Sequence, residues 1–281
     1  MRKRRAWKLR THELQLGERT LLIGILNITP DSFSDGGKYL DPDRAFTHAL
    51  ELEQAGADII DIGAESTRPG STRVGEAEEL RRLVPVLKRL RGKIGIPISV
   101  DTYKAGVADR AFEHGAEIIN DPSNLTFDPN LAKIVSANNA GFILNHMRGA
   151  PETWTRMGPM ADPVGTVYKE LEAGVSRAVR AGVDRAKIVV DPGLGFGKRR
   201  EQSFELLAKI ESLRGLELPV MVGASRKSFL NVPEQPVSEY ATAAAVTAAI
   251  LGGADMVRVH DVAAMKIVAQ AADSIYAAGQ Q

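Results

Sequence analysis

Cysteine is absent from this 281-residue chain, and so is any long apolar run. Without cysteine there is no disulfide framework, no thiolate zinc site and no cysteine nucleophile. No run reaches the about 18 apolar residues that a membrane span needs. The basic cluster at residues 1–10 is not followed by the apolar segment of a secretory signal. We therefore expect a cytoplasmic protein with no membrane partner.

Acidic residues are absent from the first ten positions, which hold six of the 36 Lys and Arg residues. The rest of the chain has 30 basic against 35 acidic residues. Because a nucleic-acid binder carries its basic face on the folded body, we expect no nucleic-acid partner. We interpret residues 1–20 as a basic N-terminal extension, frayed or folded as a hairpin, with weak contact to a polyanion as the alternative. Residues 21–281 are predicted to form one domain.

Eight short apolar runs, each followed by an amphipathic stretch, dominate the remaining sequence. The runs cover residues 21–27, 58–63, 97–101, 117–121, 141–146, 187–191, 219–223 and 255–260. Runs of this length that are rich in β-branched residues are typical of strands buried on both faces, as in a parallel sheet. The amphipathic stretches predict helices over 42–54, 76–91, 104–113, 129–138, 162–180, 201–213, 239–251 and 262–277.

Eight strand–helix units in about 255 residues predict an α/β fold, a TIM (β/α)8 barrel. Asp41-Pro42 and Asp128-Pro129 are typical helix starts, a capping residue followed by proline. An open, doubly wound sheet is the alternative. The segments after strands 1 and 2, residues 29–40 and 66–75, are rich in Gly, Pro, Ser and Asp. We interpret them as long mobile loops that close over a site, with plain surface loops as the alternative.

Polar residues stand at the end of almost every predicted strand, where a barrel builds its active site. A single Asp there is commonly a helix cap, but eight polar ends at one mouth would concentrate desolvation cost without a packing gain. Asp101, Asn120 and Asp191 supply a carboxylate, an amide and a carboxylate, which suit the edge of a flat, donor-rich heterocycle.

Positive charge lies in the same predicted mouth. Arg68, Arg258 and His260, with Arg226 as a further option, suit a phosphate or pyrophosphate. The glycines at 193, 195 and 197 superficially resemble a dinucleotide-binding loop, but their G-x-G-x-G spacing is not that fingerprint. The five His residues show no metal-ligand spacing.

Several short segments, in order from about residue 22 to the C-terminus, carry a resemblance to a known family. They are GILNITPDSFSDGG at 24–37, DIGAESTRPG at 61–70, SVDT at 99–102, IND at 119–121, DPGLGFGK at 191–198, SRKS at 225–228 and RVHD at 258–261. Together they resemble the dihydropteroate synthases, which are pterin-binding TIM barrels. Each piece is weak alone, and the combination is highly specific.

The resemblance implies a transferase that joins 6-hydroxymethyl-7,8-dihydropterin pyrophosphate to p-aminobenzoate in folate biosynthesis, releasing pyrophosphate. It implies Mg²⁺ as cofactor, a homodimer, and sulfonamides as competitors of p-aminobenzoate. The residues implied to bind pterin are Asp101, Asn120, Asp191 and Lys227. Those implied to bind pyrophosphate are Asn27, which would also ligate Mg²⁺, Arg68, Arg258 and His260. Those implied to form the p-aminobenzoate pocket are Phe33, Thr67, Pro69, Phe196 and Ser228. The catalytic set would be Asp101, Lys227, Arg258 and His260.

Three stretches depart from the family pattern. Asn145 stands where relatives often have Met, residues 122–124 replace a usual aliphatic and small run, and residues 238–241 replace an expected Arg-x-x-Gly-like pattern. Two alternatives stay open: a non-catalytic pterin-binding paralogue and a pterin-binding corrinoid methyltransferase domain. The segments at 31–35 and 225–228 favour the synthase over the methyltransferase. The intact phosphate-binding set argues against a paralogue that has lost catalysis.

Overall fold

A computed structural model describes residues 2–29, 41–66, 71–232 and 238–280 of the chain. Its largest sheet has eight parallel strands, in the order β8-β7-β6-β5-β4-β3-β10-β9. These strands are β3 (Leu21–Asn27), β4 (Ile59–Gly63), β5 (Ile98–Asp101), β6 (Ile118–Asp121), β7 (Gly141–Asn145), β8 (Ile188–Asp191), β9 (Met221–Val222) and β10 (Met256–Val259). A parallel bridge between Val190 and Val220 joins the two ends of this order. The closed order confirms the predicted barrel and excludes the open, doubly wound sheet.

In the described ranges, eight α-helices alternate with the barrel strands and cover their outer face. They are α1 (Pro42–Ala55), α2 (Glu76–Leu90), α3 (Ala105–Glu113), α4 (Leu131–Ala137), α5 (Pro163–Arg180), α6 (Arg200–Ala208), α7 (Glu239–Leu251) and α8 (Val262–Ala278). Helix α1 ends at Gly56, whose φ of 101° is the left-handed turn that returns the chain to the sheet. Leu26 on β3 and Leu52 on α1 belong to the buried core between sheet and helices. None of the helices in the described ranges is long and apolar enough to cross a membrane.

Two predicted helices are wrong at one end. The helix expected over 201–213 stops at Ala208, and the chain continues as a 3₁₀ helix over Ile210–Leu216. The helix expected from residue 129 begins only at Leu131, after a turn at Pro129 and Asn130. One oxygen of Asp128 accepts from the backbone N–H of Asn130 at 3.0 Å, as a cap of this turn does, and the other accepts from the backbone N–H of Ala105, the first residue of α3, at 2.9 Å. A cap predicted from sequence can therefore also serve a neighbouring helix.

Residues near the N-terminus form an antiparallel hairpin, β1 (Arg5–Lys8) with β2 (Glu13–Leu16), which covers the N-terminal end of the barrel. Trp7 is 1% exposed and packs with inward-facing strand residues. Arg2 pairs with Asp273 on α8 at 2.7 Å. At these contacts the basic residues of the extension bind the barrel itself. The domain boundary after residue 20 stays a prediction.

Candidate active site

The polar strand ends predicted from the sequence face inward at one end of the barrel. Residues alternate along each strand, so the apolar side chains two positions before the polar ends, such as Ile59 and Ile118, fill the barrel's other end. The register pairs Asp101 with Asn120, and Asn145 with Asp191. Neighbouring strands therefore bring these polar groups to a common level at the mouth.

Arg258, on β10, lies between two carboxylates at the centre of this mouth. Its Nε donates to Asp61 Oδ2 at 2.6 Å, and its terminal nitrogen donates to Asp101 Oδ2 at 3.0 Å. Asn120 Nδ2 donates to the same Asp61 oxygen at 3.1 Å. Asp61 thus joins a residue predicted to bind pterin to one predicted to bind pyrophosphate.

Two oxygen atoms in this cluster are buried without a hydrogen-bond partner among the described residues. They are Asp61 Oδ1 and Asn120 Oδ1. Burial raises the pKa of the Asp101 carboxyl to about 7, although the Arg258 guanidinium acts to lower it. Such acceptors, together with a carboxyl that titrates near neutrality, suit a ligand that brings N–H donors or positive charge.

Lys227 lies on the loop after β9, the strand that pairs with β10. Its ammonium donates to the Leu194 carbonyl at 2.9 Å and stands 3.7 Å from the centre of the Phe196 ring. Burial lowers the pKa of Lys227 to about 7, against the opposing attraction of Asp191. Burial also raises the pKa of Asp191, which accepts from the Gly193 N–H at 2.6 Å. Burial therefore perturbs the pKa of all three ionisable groups predicted to hold the pterin, Asp101, Asp191 and Lys227.

The lowered pKa of Lys227 predicts a pH dependence of stability. Between about pH 7 and the ordinary lysine pKa of about 10.4, the unfolded chain keeps this proton and the folded chain releases it. The free energy of unfolding should therefore rise with pH across this window. Chemical denaturation at pH 7 and pH 9 should show a smaller rise in Lys227→Met than in the parent protein. The exposed control Lys133→Met should keep the full rise, and an equal rise in all three proteins would contradict the shift.

The loop after β8 requires glycine at positions where the backbone passes close to β7's own loop. Gly193 has φ of 62°, and a Cβ there would lie 1.9 Å from the His146 carbonyl oxygen. Gly197 has φ of 66°, and a Cβ there would lie 2.3 Å from the Arg148 carbonyl oxygen. The spacing that resembles a dinucleotide loop therefore reflects backbone packing between two loops of the mouth.

Replacing Gly193 with alanine should lower the free energy of unfolding by about 2–4 kcal/mol, because it adds left-handed strain and a clash with backbone. Gly158→Ala is the matched control, since a Cβ there meets nothing within 4 Å. We expect that control to stay within about 0.5 kcal/mol of the parent in urea unfolding. Equal stability of the two variants would show that the loop tolerates a side chain at 193.

The remaining predicted residues on β10 and the loop after β9 lie beside this centre. His260 Nδ1 and Ser225 Oγ are 2.9 Å apart. Ser228 opens a short 3₁₀ helix, Ser228–Leu230. Arg226 pairs with Glu239 on α7 at 2.6 Å, so its guanidinium contacts that helix. The departure at residues 238–241 is compensated by that pair and by Ser238, whose side chain caps α7.

Asn27 ends β3, and its side-chain oxygen lies near Gly63, where a Cβ would come within 3.4 Å. In the described ranges no group of three or more His, Asp and Glu side chains is placed to hold a metal ion. A magnesium ion held by substrate phosphates keeps several waters and takes few protein ligands. An amide oxygen of Asn27 is a suitable hard ligand in such a shell.

Two residues that the sequence did not single out for the site contribute to it. Lys198 is 8% exposed and holds three backbone carbonyls of the mouth's loops. Asp61 is the polar residue in β4, and its pairing with Arg258 spans 197 residues. Period-two alternation could have placed Asp61 inside the barrel, but no local signal indicates its partner.

Four predicted residues lie outside the described residues: Phe33, Thr67, Arg68 and Pro69. Residues 30–40 of the first predicted loop and residues 67–70 of the second are outside them as well, so the loop interpretation stays a prediction. Asn145, the departure on β7, is buried, and its Nδ2 lies 3.5 Å from the Pro122 carbonyl. A polar amide thus replaces the thioether that relatives often carry at this point.

Comparison with known proteins shows which family this chain belongs to. Residues 23–260 match the family described as pterin binding enzyme. A dihydropteroate synthase of Synechocystis is 43% identical over 264 residues, covering 92% of this chain and 91% of the relative.

Two solved structures are similar over nearly their whole length. A Clostridium difficile dihydropteroate synthase crystallised in the presence of pteroic acid has a TM-score of 0.87 and 40% identity, and the match covers 93% of this chain and 98% of that one. A Yersinia pestis dihydropteroate synthase in complex with a sulfonamide drug has a TM-score of 0.88 and 36% identity, covering 98% and 99%. The chain therefore belongs to the dihydropteroate synthase family of pterin binding enzymes.

Proposed function

We propose that this protein condenses 6-hydroxymethyl-7,8-dihydropterin pyrophosphate with p-aminobenzoate to form 7,8-dihydropteroate and pyrophosphate, a transferase step in folate biosynthesis. The observation that carries the proposal is the Arg258 guanidinium between the Asp61 and Asp101 carboxylates. This cluster places negative groups for a cationic heterocycle next to a positive group for its leaving pyrophosphate. Family membership and the pteroic acid and sulfonamide of its structural relatives support the same chemistry.

The pterin half of the reaction uses the inward carboxylates and the buried amide. Asn120 and Asp191 would bind the donor-rich edge of the pterin, with Lys227 beside them. Breaking the bond between the pterin methylene carbon and the pyrophosphate oxygen leaves positive charge on the pterin. An ionised Asp101 stabilises that charge, and the charge in turn favours loss of the proton that burial holds on the carboxyl.

The pyrophosphate half uses positive charge at the ends of β3 and β10. Arg258 and His260 would bind the departing oxygens, with Arg68 from the second loop. Asn27 would hold Mg²⁺, which when bound supplies positive charge that lowers the energy of the leaving group. Arg258 reaches this role while anchored to Asp61, so its guanidinium is oriented before substrate arrives.

The amine of p-aminobenzoate then forms the new C–N bond to the methylene carbon and releases a proton. No strong side-chain nucleophile is required, because departure of pyrophosphate makes the carbon electrophilic. Phe196 and Ser228 would line the p-aminobenzoate pocket together with Phe33, Thr67 and Pro69. Sulfonamides, which mimic p-aminobenzoate, should compete in that pocket.

The test is turnover with a competitor present. Purified protein, Mg²⁺, the pterin pyrophosphate and p-aminobenzoate should yield dihydropteroate, identified by mass. A sulfonamide should raise the apparent KM for p-aminobenzoate and leave kcat unchanged. Pterin binding without product would favour the non-catalytic paralogue, and absence of pterin binding would overturn the proposal.

The same proposal includes a cytoplasmic homodimer formed through the last helices. Tyr240 on α7 is 89% exposed, and Ile267 on α8 is 70% exposed, which is unusual for large apolar side chains. A second copy would cover them. Light scattering should give twice the chain mass, and Ile267→Asp should shift it toward the mass of one chain. A monomeric parent protein at micromolar concentration would contradict this part.

A further inference from the structure

Lys198 lies at the end of the glycine-rich loop after β8, and backbone carbonyl oxygens surround its ammonium group. The nitrogen donates to the carbonyls of Gly193 at 2.7 Å, His146 at 3.1 Å and Phe196 at 3.2 Å. A lysine ammonium has three N–H donors, and all three find acceptors here. The side chain is buried and reaches none of the groups assigned to the reaction directly.

This arrangement is opposite in polarity to a phosphate-binding loop. Such loops direct backbone N–H groups toward an anion, whereas the loop over residues 193–198 directs carbonyl oxygens toward the buried side-chain nitrogen of Lys198. The left-handed conformations at Gly193 and Gly197 turn the chain around the lysine. The loop is therefore a folded unit whose centre is Lys198, and the glycine motif serves that purpose.

The outer side of the same loop supports Lys227. The Leu194 carbonyl accepts from its ammonium at 2.9 Å, and the Phe196 ring stands 3.7 Å from that ammonium. A Cβ on Gly195 would lie 3.4 Å from Cδ of Lys227, so the aliphatic stem packs on the loop as well. On its other side the Phe196 ring meets Trp154 edge to face, at 5.5 Å between ring centres.

We propose that Lys198 is a positioning residue, which fixes the 193–198 loop so that Lys227 and Phe196 present their pterin and p-aminobenzoate contacts in the bound geometry. The inference rests on the proposed function for the identity of the two substrates. Lys198 acts through Gly193 and Phe196 carbonyls and touches neither substrate. Without its side-chain nitrogen, the His146 carbonyl loses its donor, whereas the Gly193 and Phe196 carbonyls each keep one backbone N–H, from Phe196 and Arg148. Lys198 is the side chain that ties both of these loop carbonyls to the loop after β7 through His146.

The test compares two lysines with similar chemistry at opposite ends of the barrel. Lys187 is also buried, and its ammonium also donates to backbone carbonyls, those of Lys8 and Asn139 at the barrel's covered end. Lys198→Met should raise KM for both substrates by about tenfold or more, because the binding contacts of Lys227 and Phe196 are weakened, and kcat should fall as well, because Lys227 also belongs to the predicted catalytic set. Lys187→Met should lose stability and keep both KM values.

The KM values of the two variants decide whether Lys198 has a positioning role. Wild-type KM values in Lys198→Met, or equal KM changes in both variants, would overturn the positioning role, since the effect would then be absent or generic. If Lys198→Met does not fold, Lys198→Gln is measured in the same way and carries the same expectation.

A parent protein that forms no dihydropteroate would overturn the proposed function instead. Sulfonamide binding to the parent, to Lys198→Met and to Lys187→Met would then test the role of the loop independently of turnover. A tenfold loss of sulfonamide affinity confined to the Lys198 variant supports positioning, and equal affinity contradicts it.

Discussion

Replacing Arg258 with alanine is expected to cost about 3 kcal/mol of transition-state stabilisation, a fall in kcat/KM of roughly 150-fold, by comparison with lost oxyanion donors. The guanidinium is the group that joins the carboxylate side of the mouth to its phosphate side. Its removal also leaves the Asp61 carboxylate, which is fully buried, without its positive partner. Uncompensated buried charge adds a loss of stability of about 3–5 kcal/mol. Steady-state kinetics and urea unfolding measure the two effects separately.

Arg19→Ala is the matched control for that experiment. Arg19 also makes a two-pronged pair with an aspartate, Asp58, but its side chain is 59% exposed and lies at the barrel's opposite end. An exposed pair of this kind contributes about 0–1 kcal/mol, so kcat/KM should be unchanged in the control. A folded Arg258→Ala variant with the parent's kcat/KM would remove Arg258 from the reaction.

Replacing Trp7 with alanine should lower the free energy of unfolding by about 3–5 kcal/mol, although the residue lies far from the mouth. The indole fills the barrel's N-terminal end, next to Ile143 and Val189, and its Nε1 donates to the Lys187 carbonyl at 2.9 Å. A Cβ on Gly141 would come 2.8 Å from the ring, so the indole sits directly on β7. Deleting it leaves a cavity in a rigid sheet and an unpaired carbonyl.

The neighbouring Lys8 side chain is exposed, and Lys8→Ala should stay within about 0.5 kcal/mol of the parent protein. Below the unfolding transition, both hairpin variants should retain kcat/KM. A Trp7→Ala variant that loses less than about 1 kcal/mol would mean that the hairpin is only loosely attached.

The sequence was sufficient to predict the barrel and the residues at its mouth. Apolar runs of five to seven residues, alternating with amphipathic stretches, restrict the chain to parallel β/α units. Since side chains alternate on a strand, the polar residue that ends each run must share a face with the apolar residue two positions earlier. Asp101 and Asn120 follow this rule, and their register places them side by side.

Contacts between distant segments could not be predicted from local pattern. The sequence pattern indicates Arg258 as a phosphate ligand alone, and its anchoring to Asp61 depends on β10 and β4 lying on either side of β3. Lys198 gave no signal, because its partners are backbone carbonyls, which every residue carries. Asp128 gave a signal for only one of its two bonds: one oxygen accepts from Asn130 in its own turn, and the other accepts from Ala105 of a helix that the fold brings near.

The most direct test of the account is pyrophosphate release by the parent protein, Asp101→Asn and the control Asp109→Asn, an exposed residue of α3. With Mg²⁺ and the pterin pyrophosphate present, the parent and the control should release pyrophosphate only when p-aminobenzoate is added, with one dihydropteroate formed for each pyrophosphate. Asp101→Asn should be strongly impaired in both products. Pyrophosphate release by Asp101→Asn at the parent's rate would contradict a pterin site at the mouth of the barrel. Pyrophosphate release that does not depend on p-aminobenzoate would contradict the synthase reaction.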